Sequence, residues 1–303
     1  MKKNKRLISK IDFKTDNLIK GIEYDGLRSL GSVKNFVNKY YEEGLDEIIL
    51  QDCVASLFGL EPKYDQIKLF TKDIFIPVTV GGGIKNIEQI KKIFNSGADK
   101  VAINTGAIQD PDLIYQAAKE FGSQSVVVSL EIFKEIVDQN DIEEKSFINL
   151  YFKNGKEKTN LKLKEWIKKI ENNGAGEILA NIVNRDGTGE GPDIDIVNKI
   201  KEITSLPVIY SGGIGNYNDI YKLFKETQVD AVSVSSLFHF HYYKSLIKLK
   251  NKISKDLRYG KNDDYGNYDY VLDGYGGIEL YKTEKESIKK IKSKLIKDKI
   301  IVK

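Results

Sequence analysis

The sequence predicts one (β/α)8 TIM barrel built of two duplicated half-barrels, and two observations carry this prediction. Strand-like and helix-like stretches alternate eight times over about 250 residues, which is typical of parallel strands joined by helices. In addition, the segment 77–86 (PVTVGGGIKN) recurs about 130 residues later as 207–216 (PVIYSGGIGN). That period is far longer than those of solenoids or propellers, so it indicates two related halves of one domain. A doubly wound open sheet is the rival fold, but it explains the even count and the duplication less well.

The predicted elements follow from apolar patterning, taken in chain order. Eight β-rich stretches are the candidate barrel strands: Arg6–Asp12, Glu47–Asp52, Ile76–Val80, Lys100–Asn104, Ser125–Glu131, Glu177–Ile182, Pro207–Ser211 and Ala231–Ser235. Helical spacing fills the gaps, for example over 33–43, 110–121, 161–172 and 194–203. Asp110 and Pro111 predict a helix start, and Asn173 with Gly174 predicts a helix end. We therefore expect a barrel over 1–250, with half-barrels at about 1–122 and 123–250.

The remaining segment, 251–303, is predicted to be an extension of the barrel. Its first part is rich in Tyr, Gly, Asp and Asn, and a lysine-rich helical pattern follows with apolar residues at Ile288, Ile291, Leu295 and Ile296. The simplest expectation is that this apolar face packs on the barrel flank. A docking element for a third protein is the alternative.

Composition excludes several classes of protein. The net charge is +4 with 30% charged residues of both signs, which predicts no nucleic-acid partner. An apolar run of membrane-spanning length and a signal-peptide core are both missing from the pattern, so we expect no membrane association. The single cysteine, Cys53, excludes an internal disulfide and favours the reducing cytoplasm. Because Cys53 lies far from the two histidines, His239 and His241, we predict no metal site, and nothing predicts a cofactor.

The two glycine runs predict two phosphate sites. Gly81–Gly83 and Gly212–Gly213 each follow a predicted strand and precede a predicted helix. Glycine at such a turn lets backbone N–H groups approach a phosphate, and the helix N-terminus adds its dipole. The pairs Asn104–Thr105 and Ser235–Ser236 end the following strands and can complete each site. One such loop would more often be a simple tight turn, but two matched copies predict a ligand with a phosphate at each end.

Two carboxylates at equivalent positions predict acid–base chemistry. Asp12 ends the first predicted strand and Glu131 ends the fifth, which is the corresponding strand of the second half. Active sites of this fold lie at the strand C-terminal ends. A pair of acids there suits proton donation by one and proton removal by the other. Ordinary strand-end hydrogen bonding is the alternative for each acid taken alone.

From about Arg6 to about Tyr243, the chain resembles the cyclase subunit of imidazole glycerol phosphate synthase. The resemblance rests on motifs in both halves: Leu18–Gly21, Asp52 with Ala55–Ser56, Thr79–Ile84, Gly97–Thr105, Phe121–Gln124, Gly174–Leu179, Asn184–Thr188, Ser211–Gly213 and Phe238–Phe240.

The resemblance implies a reaction and a set of site residues. In that family, ammonia from a partner glutaminase passes through the barrel and attacks a bis-phosphorylated ribulosyl aminoimidazole-carboxamide nucleotide. The products are imidazole glycerol phosphate and a carboxamide ribonucleotide. Asp12 and position 131 would be the acid–base residues, and Lys20 and Asp52 are candidate ligand contacts. One phosphate would bind at Gly82, Gly83, Asn104 and Thr105, and the other at Asp186, Gly187, Gly212, Gly213, Ser235 and Ser236.

The resemblance also implies a gate and a partner. Four charges at the strand starts match the ammonia gate of the family: Arg6, Glu47, Lys100 and Glu177. They could instead be a structural layer of ion pairs. Asp99 matches a docking residue, and the chain has no plausible Cys–His nucleophile of its own, so we expect a heterodimer with a separate glutaminase subunit.

Several positions depart from the family pattern. Position 131 is Glu where the family has Asp, and the extra methylene moves the carboxyl by ~1 Å, a displacement that can cost about a hundredfold in rate. Lys10 replaces a small uncharged residue and is expected to face Asp12, Glu131 or an anionic ligand. Asn181 and Asn184 also differ. These departures resemble a branch found with surface-sugar genes. They predict, as the alternative, an ammonia-channel subunit that serves a sugar amidotransferase without cyclising anything.

Overall fold

Eight parallel strands close into a barrel, so the predicted TIM-barrel fold is confirmed. The computed structural model describes residues 4–137, 145–250 and 283–302. The first strand pairs with both the second and the last barrel strand, which closes the sheet. In order round the barrel, the strands are β1 (Arg6–Lys14), β4 (Glu47–Asp52), β5 (Val78–Gly81), β6 (Lys100–Ile103), β7 (Val126–Val137), β10 (Glu177–Ile182), β11 (Val208–Ser211) and β12 (Ala231–Ser233).

Helices surround the barrel and pack buried apolar side chains against its outer face. They are α1 (Val33–Glu42), α2 (Tyr64–Thr71), α3 (Ile87–Asn95), α4 (Thr105–Gln109), α5 (Asp112–Phe121), α6 (Leu163–Asn172), α7 (Ile194–Ile203), α8 (Tyr217–Glu226) and α9 (Ser236–Lys250). The duplication extends to the caps, because Asn86 and Asn216 accept hydrogen bonds from the N3 amides of α3 and α8. Helix α5 begins two residues later than predicted, and the Asp110 side chain accepts a hydrogen bond from the Asp112 amide.

Two antiparallel hairpins cover the C-terminal mouth of the barrel, and the sequence analysis missed both. The segment after β1, for which the sequence predicted no element, forms β2 (Asn17–Ile22) and β3 (Asp25–Ser32), joined at Glu23 and Tyr24. The fifth barrel strand was predicted to end at Glu131. Instead, β7 continues to Val137 and pairs with β8 (Lys145–Phe152), which is followed by β9 (Glu157–Lys158). The two hairpins follow equivalent strands of the two halves.

Side chains inside the barrel form three levels. Alternation along β1 turns Leu7 and Ile11 outward to the helices and leaves Arg6, Ile8, Lys10 and Asp12 inside. The lowest level is charged and the top level is polar. Between them lies a separate apolar cluster of inward-facing residues: Ile8, Ile49, Ala102, Val127, Leu179, Ile209 and Ala231.

A C-terminal helix, α10 (Ile288–Lys297), packs on the flank of the barrel. Ile288, Ile291 and Leu295 are fully buried in the same apolar core as the barrel helices, whereas Ile296, included in the predicted apolar face, is 63% exposed. The Lys292 ammonium lies 2.6 Å from the Asp46 carboxylate at the base of the barrel. The Tyr- and Gly-rich part of the predicted extension lies outside the described residues. Within the described ranges, no helix has the length and apolar character needed to cross a membrane.

Candidate active site

The four charges at the base form a closed ring of alternating sign. Arg6 contacts Glu47 at 2.7 Å and is also paired with Glu177, while Lys100 lies 2.9 Å from Glu47 and 3.1 Å from Glu177. Both glutamates are almost completely buried. Burial disfavours the charged form of Arg6, but the two glutamates outweigh it and raise its pKa. The structure therefore brings together the four residues predicted to form a gate.

Asp12 and Glu131 both lie inside the mouth, each one residue before the last parallel pairing with the next barrel strand. Asp12 pairs with Gln51 in the neighbouring strand and Glu131 with Asn181. Neither residue ends its strand, because each strand continues into an antiparallel hairpin. Both carboxyls are buried, and the Asp12 carboxylate contributes to the raised pKa of Glu131. The predicted acid–base pair is thus placed in one polar chamber.

The surroundings of Glu131 bring the pKa of its carboxyl close to neutral pH. Its Oε2 accepts a hydrogen bond of 2.7 Å from the Gly155 amide on the β8–β9 turn. Among the described residues, no cation lies within ion-pairing distance of its carboxylate. Burial is the largest influence and raises the pKa of Glu131 to about 7. A carboxyl that titrates near neutral pH is suited to proton transfer at the pH of the cell.

Asp12 has a different environment from Glu131. Its Oδ1 lies 3.3 Å from the ammonium of Lys10, and both side chains are buried. Burial raises the pKa of Asp12, and the Lys10 and Lys20 ammonium groups oppose that rise. Lys10 therefore faces Asp12, which is one of the three partners expected from the sequence. Its second partner, the Tyr24 hydroxyl at 3.3 Å, was not expected.

Lys20 and Asp52, the two candidate ligand-binding residues, have different hydrogen-bond and ion-pair partners. The Lys20 ammonium forms a buried ion pair with Asp186. Burial opposes ionisation of Asp186, but Lys20 and Lys10 outweigh it and lower its pKa. The Asp52 Oδ1 accepts hydrogen bonds from the amides of Val54 and Ala55, while its buried Oδ2 has no protein partner. Asp52 therefore orders the turn after β4 with one oxygen and presents the other to the site.

The first glycine run lines a cavity at the mouth. Its walls include most of the predicted first phosphate site together with one catalytic candidate: Asp52, Gly82, Gly83, Asn104, Thr105 and Glu131. Gly82 has a φ of +112°, and a Cβ there would lie 2.5 Å from the Asp52 carbonyl oxygen, so only glycine fits. The Asn104 amide donates to the Ser129 carbonyl at 3.0 Å, and the Thr105 hydroxyl accepts from the Lys153 amide at 3.0 Å.

The second glycine run lies against the loop after β10. Gly213 has a φ of +74°, and a Cβ there would lie 2.1 Å from the Gly191 carbonyl oxygen. Gly212 approaches Ile182 in the same way, and Gly187 approaches the carbonyl oxygen of Gly21 near the turn of the β2–β3 hairpin. The Ser235 hydroxyl donates to the Lys10 carbonyl at 2.8 Å, and Ser236 begins α9.

Sequence reasoning missed Tyr24 and Gly155 as site residues. Tyr24 lies at the tip of the β2–β3 hairpin, is 8% exposed, and packs its ring against Gly155. The dipeptide Asn154–Gly155 is a strong hairpin signal and could have located the second turn. Asp25–Gly26 is a comparable signal directly after the first turn, where Glu23 and Tyr24 both have positive φ.

Two other reactive side chains are packed into the structure. His239 is fully buried, with its Nδ1 2.5 Å from the Tyr40 hydroxyl, and burial lowers its pKa to about 3. Cys53 is buried beside the Phe13 carbonyl, and burial raises its thiol pKa well above the usual range. A neutral imidazole and a protonated thiol, each enclosed by protein, do not form a nucleophile and base.

These features define a duplicated (β/α)8 barrel with a charge ring at its base and a carboxylate pair at its mouth. The model of the family described as "Histidine biosynthesis protein" matches residues 6–244. Among curated proteins, the imidazole glycerol phosphate synthase subunit HisF of Dictyoglomus thermophilum is 41% identical over 79% of this chain and 91% of its own length. The HisF subunit of Lactococcus lactis subsp. cremoris strain SK11 is 41% identical over 78% and 88%, and that of Methanopyrus kandleri 37% identical over 78% and 90%.

The chain belongs to this HisF family, and it is therefore an enzyme subunit of the imidazole glycerol phosphate synthase type. The resemblance seen in the motifs is confirmed over the whole barrel.

The raised pKa of Glu131 predicts a pH-dependent stability. The folded protein keeps Glu131 protonated up to about pH 7, whereas the unfolded chain loses this proton near 4.5. Wild-type stability should therefore fall as pH rises through this window, by up to about 3 kcal/mol. Glu131→Gln has no proton to lose, so its free energy of unfolding relative to wild type should increase between about pH 5 and about pH 8. Urea unfolding at each pH measures the difference, and a constant difference would contradict the assigned pKa.

Proposed function

We propose that this protein is an ammonia-dependent cyclase that acts on a bis-phosphorylated aminoimidazole-carboxamide ribonucleotide. The observation that carries this proposal is the vertical order inside the barrel: a charge ring, an apolar layer, and the Asp12–Glu131 pair. Such an order suits a small neutral nucleophile that enters at the base and reacts at the mouth. The HisF relatives support the same reading of the chain.

The apolar layer favours ammonia over ammonium. Transfer of a charged ammonium into an apolar environment costs far more than transfer of a neutral molecule. The inward residues Ile8, Leu179 and Ile209 offer no compensating charge. Nitrogen that crosses this layer therefore arrives as the nucleophilic free base.

The mouth supports a substrate with two phosphates. Gly82 and Gly83 with Asn104 and Thr105 would hold one phosphate through backbone amides and hydroxyls. The second site would use Gly187, Gly212, Gly213, Ser235 and Ser236. The Asp186 carboxylate repels a phosphate and pairs with Lys20, so the side chain of Asp186 serves the site by holding Lys20 in place. Asp12 and Glu131 would then face the reacting centre between the two phosphates.

The substrate assignment predicts turnover with ammonium salt alone. The purified protein should convert the aminoimidazole-carboxamide nucleotide to imidazole glycerol phosphate, and Asp12→Asn should lower kcat at least about a hundredfold while the ligand still binds. Asp195→Asn is a matched control, since Asp195 is 76% exposed on α7. Product formation by chromatography and binding by calorimetry separate the two effects.

One outcome of that experiment favours the second candidate function. Lys10 and Tyr24 occupy part of the mouth beside Asp12, and this is the observation that supports an ammonia-channel subunit for a sugar amidotransferase. Such a subunit would deliver ammonia without turnover of the nucleotide. Binding of the nucleotide with no product from the wild type would reject the cyclase and leave this candidate.

The base of the barrel is proposed as the docking face for a glutaminase subunit. Asp99 is exposed there, beside the ring residue Lys100, and its Oδ2 accepts a hydrogen bond of 2.8 Å from the Val78 amide. Ammonia released into bulk water would be mostly protonated, so a sealed interface at this face preserves its reactivity. Asp99 thus offers an exposed charge and also accepts a hydrogen bond from the amide that begins β5.

Charge reversal at Asp99 should separate docking from catalysis. Asp99→Lys should weaken the complex with the glutaminase and lower glutamine-driven activity at least about tenfold, because like charges placed across an interface are unfavourable. Activity with ammonium salt should stay within about twofold of wild type. Asp99→Asn keeps the acceptor for Val78 and reports the effect of charge alone. Equal losses with both nitrogen sources would show that Asp99 supports the fold rather than the docking face.

A further inference from the structure

Lys10 is a buried cation at the centre of the mouth, and its role is not assigned by the family resemblance. It is 2% exposed, and its ammonium lies 3.3 Å from Asp12 Oδ1 and 3.3 Å from the Tyr24 hydroxyl, to which it donates. The ammonium also lies 4.8 Å from the centre of the Tyr24 ring. Three contacts therefore fix its position, and all three belong to groups at the mouth.

The charge of Lys10 acts on every carboxyl around it. Titratable groups reach this chamber from several elements: Lys20 on β2, Tyr24 at the hairpin tip, Cys53 after β4, Glu131 on β7, Asp186 after β10 and His239 on α9. Burial disfavours the ammonium, but Asp12, Tyr24 and Asp186 outweigh it and hold the pKa of Lys10 well above its usual range. Lys10 is therefore charged throughout the range in which the carboxyls titrate. It opposes the rise that burial causes in the pKa of Asp12 and of Glu131, and it contributes to the lowered pKa of Asp186.

The contact geometry distinguishes the two carboxyls of the pair. Asp12 touches the Lys10 ammonium directly, whereas Glu131 accepts a hydrogen bond from the backbone amide of Gly155. Asp186 is already matched by Lys20. Lys10 therefore stabilises the ionised form of Asp12 more than that of Glu131. When two acids have environments that give them different pKa values, one can act as the base and the other as the acid in the same reaction.

We propose that Lys10 is a positioning residue that holds Asp12 as a carboxylate, which makes Asp12 the base and Glu131 the acid of the pair. This inference rests on the proposed cyclase function. When ammonia adds to the ribulosyl carbonyl, a C–N bond forms, the C=O π bond breaks, and the Asp12 carboxylate takes a proton from the nitrogen while Glu131 gives its proton to the oxygen. The proton held by Asp12 then passes to the resulting hydroxyl, which leaves as water with the electrons of the C–O bond while the nitrogen lone pair forms a C=N bond. Asp12 is then again a carboxylate, and Glu131 recovers its proton from the iminium nitrogen before the next turnover.

Lys10→Met tests the role, because methionine keeps much of the length and removes the charge. Without the cation, both carboxyls should ionise at higher pH, so the whole bell-shaped profile of kcat/KM should move upward by at least about one pH unit. Activity at neutral pH should fall at least about tenfold and recover partly as pH rises. Rates are compared at a fixed concentration of unprotonated ammonia, so that nucleophile supply does not contribute.

Two further variants separate positioning from a merely structural role. Lys10→Arg keeps the charge, and its pH profile should stay near that of wild type even if its rate falls. Lys201→Met removes a partly buried lysine that pairs with Asp230 on the outside of the barrel, and its pH profile should be unchanged. An unshifted profile in Lys10→Met, or the same shift in Lys10→Arg, would overturn the proposal.

A second readout does not depend on turnover and so distinguishes this proposal from the cyclase assignment. Carbon-13 NMR of labelled Asp and Glu, assigned with Asp12→Asn and Glu131→Gln, follows the two carboxyls directly. In the wild type, Asp12 should ionise before Glu131, and in Lys10→Met the Asp12 titration should move to higher pH. The reverse order in the wild type would overturn the proposal even if Lys10→Met does not fold. The expected NMR result together with no turnover would leave the role of Lys10 intact and reject only the cyclase.

Discussion

The structure depends on one constraint: closure of the parallel sheet places every second strand residue in an interior from which water is excluded. Arg6, Ile8, Lys10 and Asp12 follow one another up a single strand and all face inward. Charges in such a space are tolerated only when they are paired, because an unpaired buried ion costs several kcal/mol. The charge ring at the base and the ion pairs at the mouth are two solutions to this requirement, and the apolar layer separates them.

Pairing at the mouth also determines which groups can move protons. Two of the aspartates there have a lysine partner, Lys10 for Asp12 and Lys20 for Asp186. Glu131 accepts a hydrogen bond from the Gly155 amide, and burial outweighs that bond and raises the pKa of Glu131 to about 7. Strongly perturbed carboxyls in a cleft are typical of functional sites. The segments that cover the mouth also contact these groups. Tyr24 of the β2–β3 hairpin contacts Lys10, and Gly155 of the β8–β9 turn contacts Glu131, so each half of the barrel supplies one such contact.

The fold could be predicted from sequence because its signals are periodic and repeated. The duplication is visible in the matching segments 77–86 and 207–216, and strand–helix alternation is visible in the apolar pattern. Neither signal requires knowledge of any long-range contact. The predicted strand ends also pointed to Asp12 and Glu131, although both strands continue beyond these residues. The hairpins were missed because β7 and β1 pass from parallel to antiparallel pairing without a break in apolar pattern. The Lys10–Tyr24 contact joins a barrel strand to a turn with positive φ, and only the three-dimensional packing brings those two residues together.

The central claim is that the barrel interior carries ammonia from the base to the mouth. Isotope partition in the complex with the glutaminase tests it most directly. Glutamine labelled with nitrogen-15 in its amide is supplied together with an excess of unlabelled ammonium salt, and the label in the imidazole product is measured by mass spectrometry. If the interior is the route, nearly all product should carry the glutamine nitrogen. Product labelled only to the extent of the mixed bulk pool would show that ammonia reaches Asp12 and Glu131 through solvent, and would contradict the account.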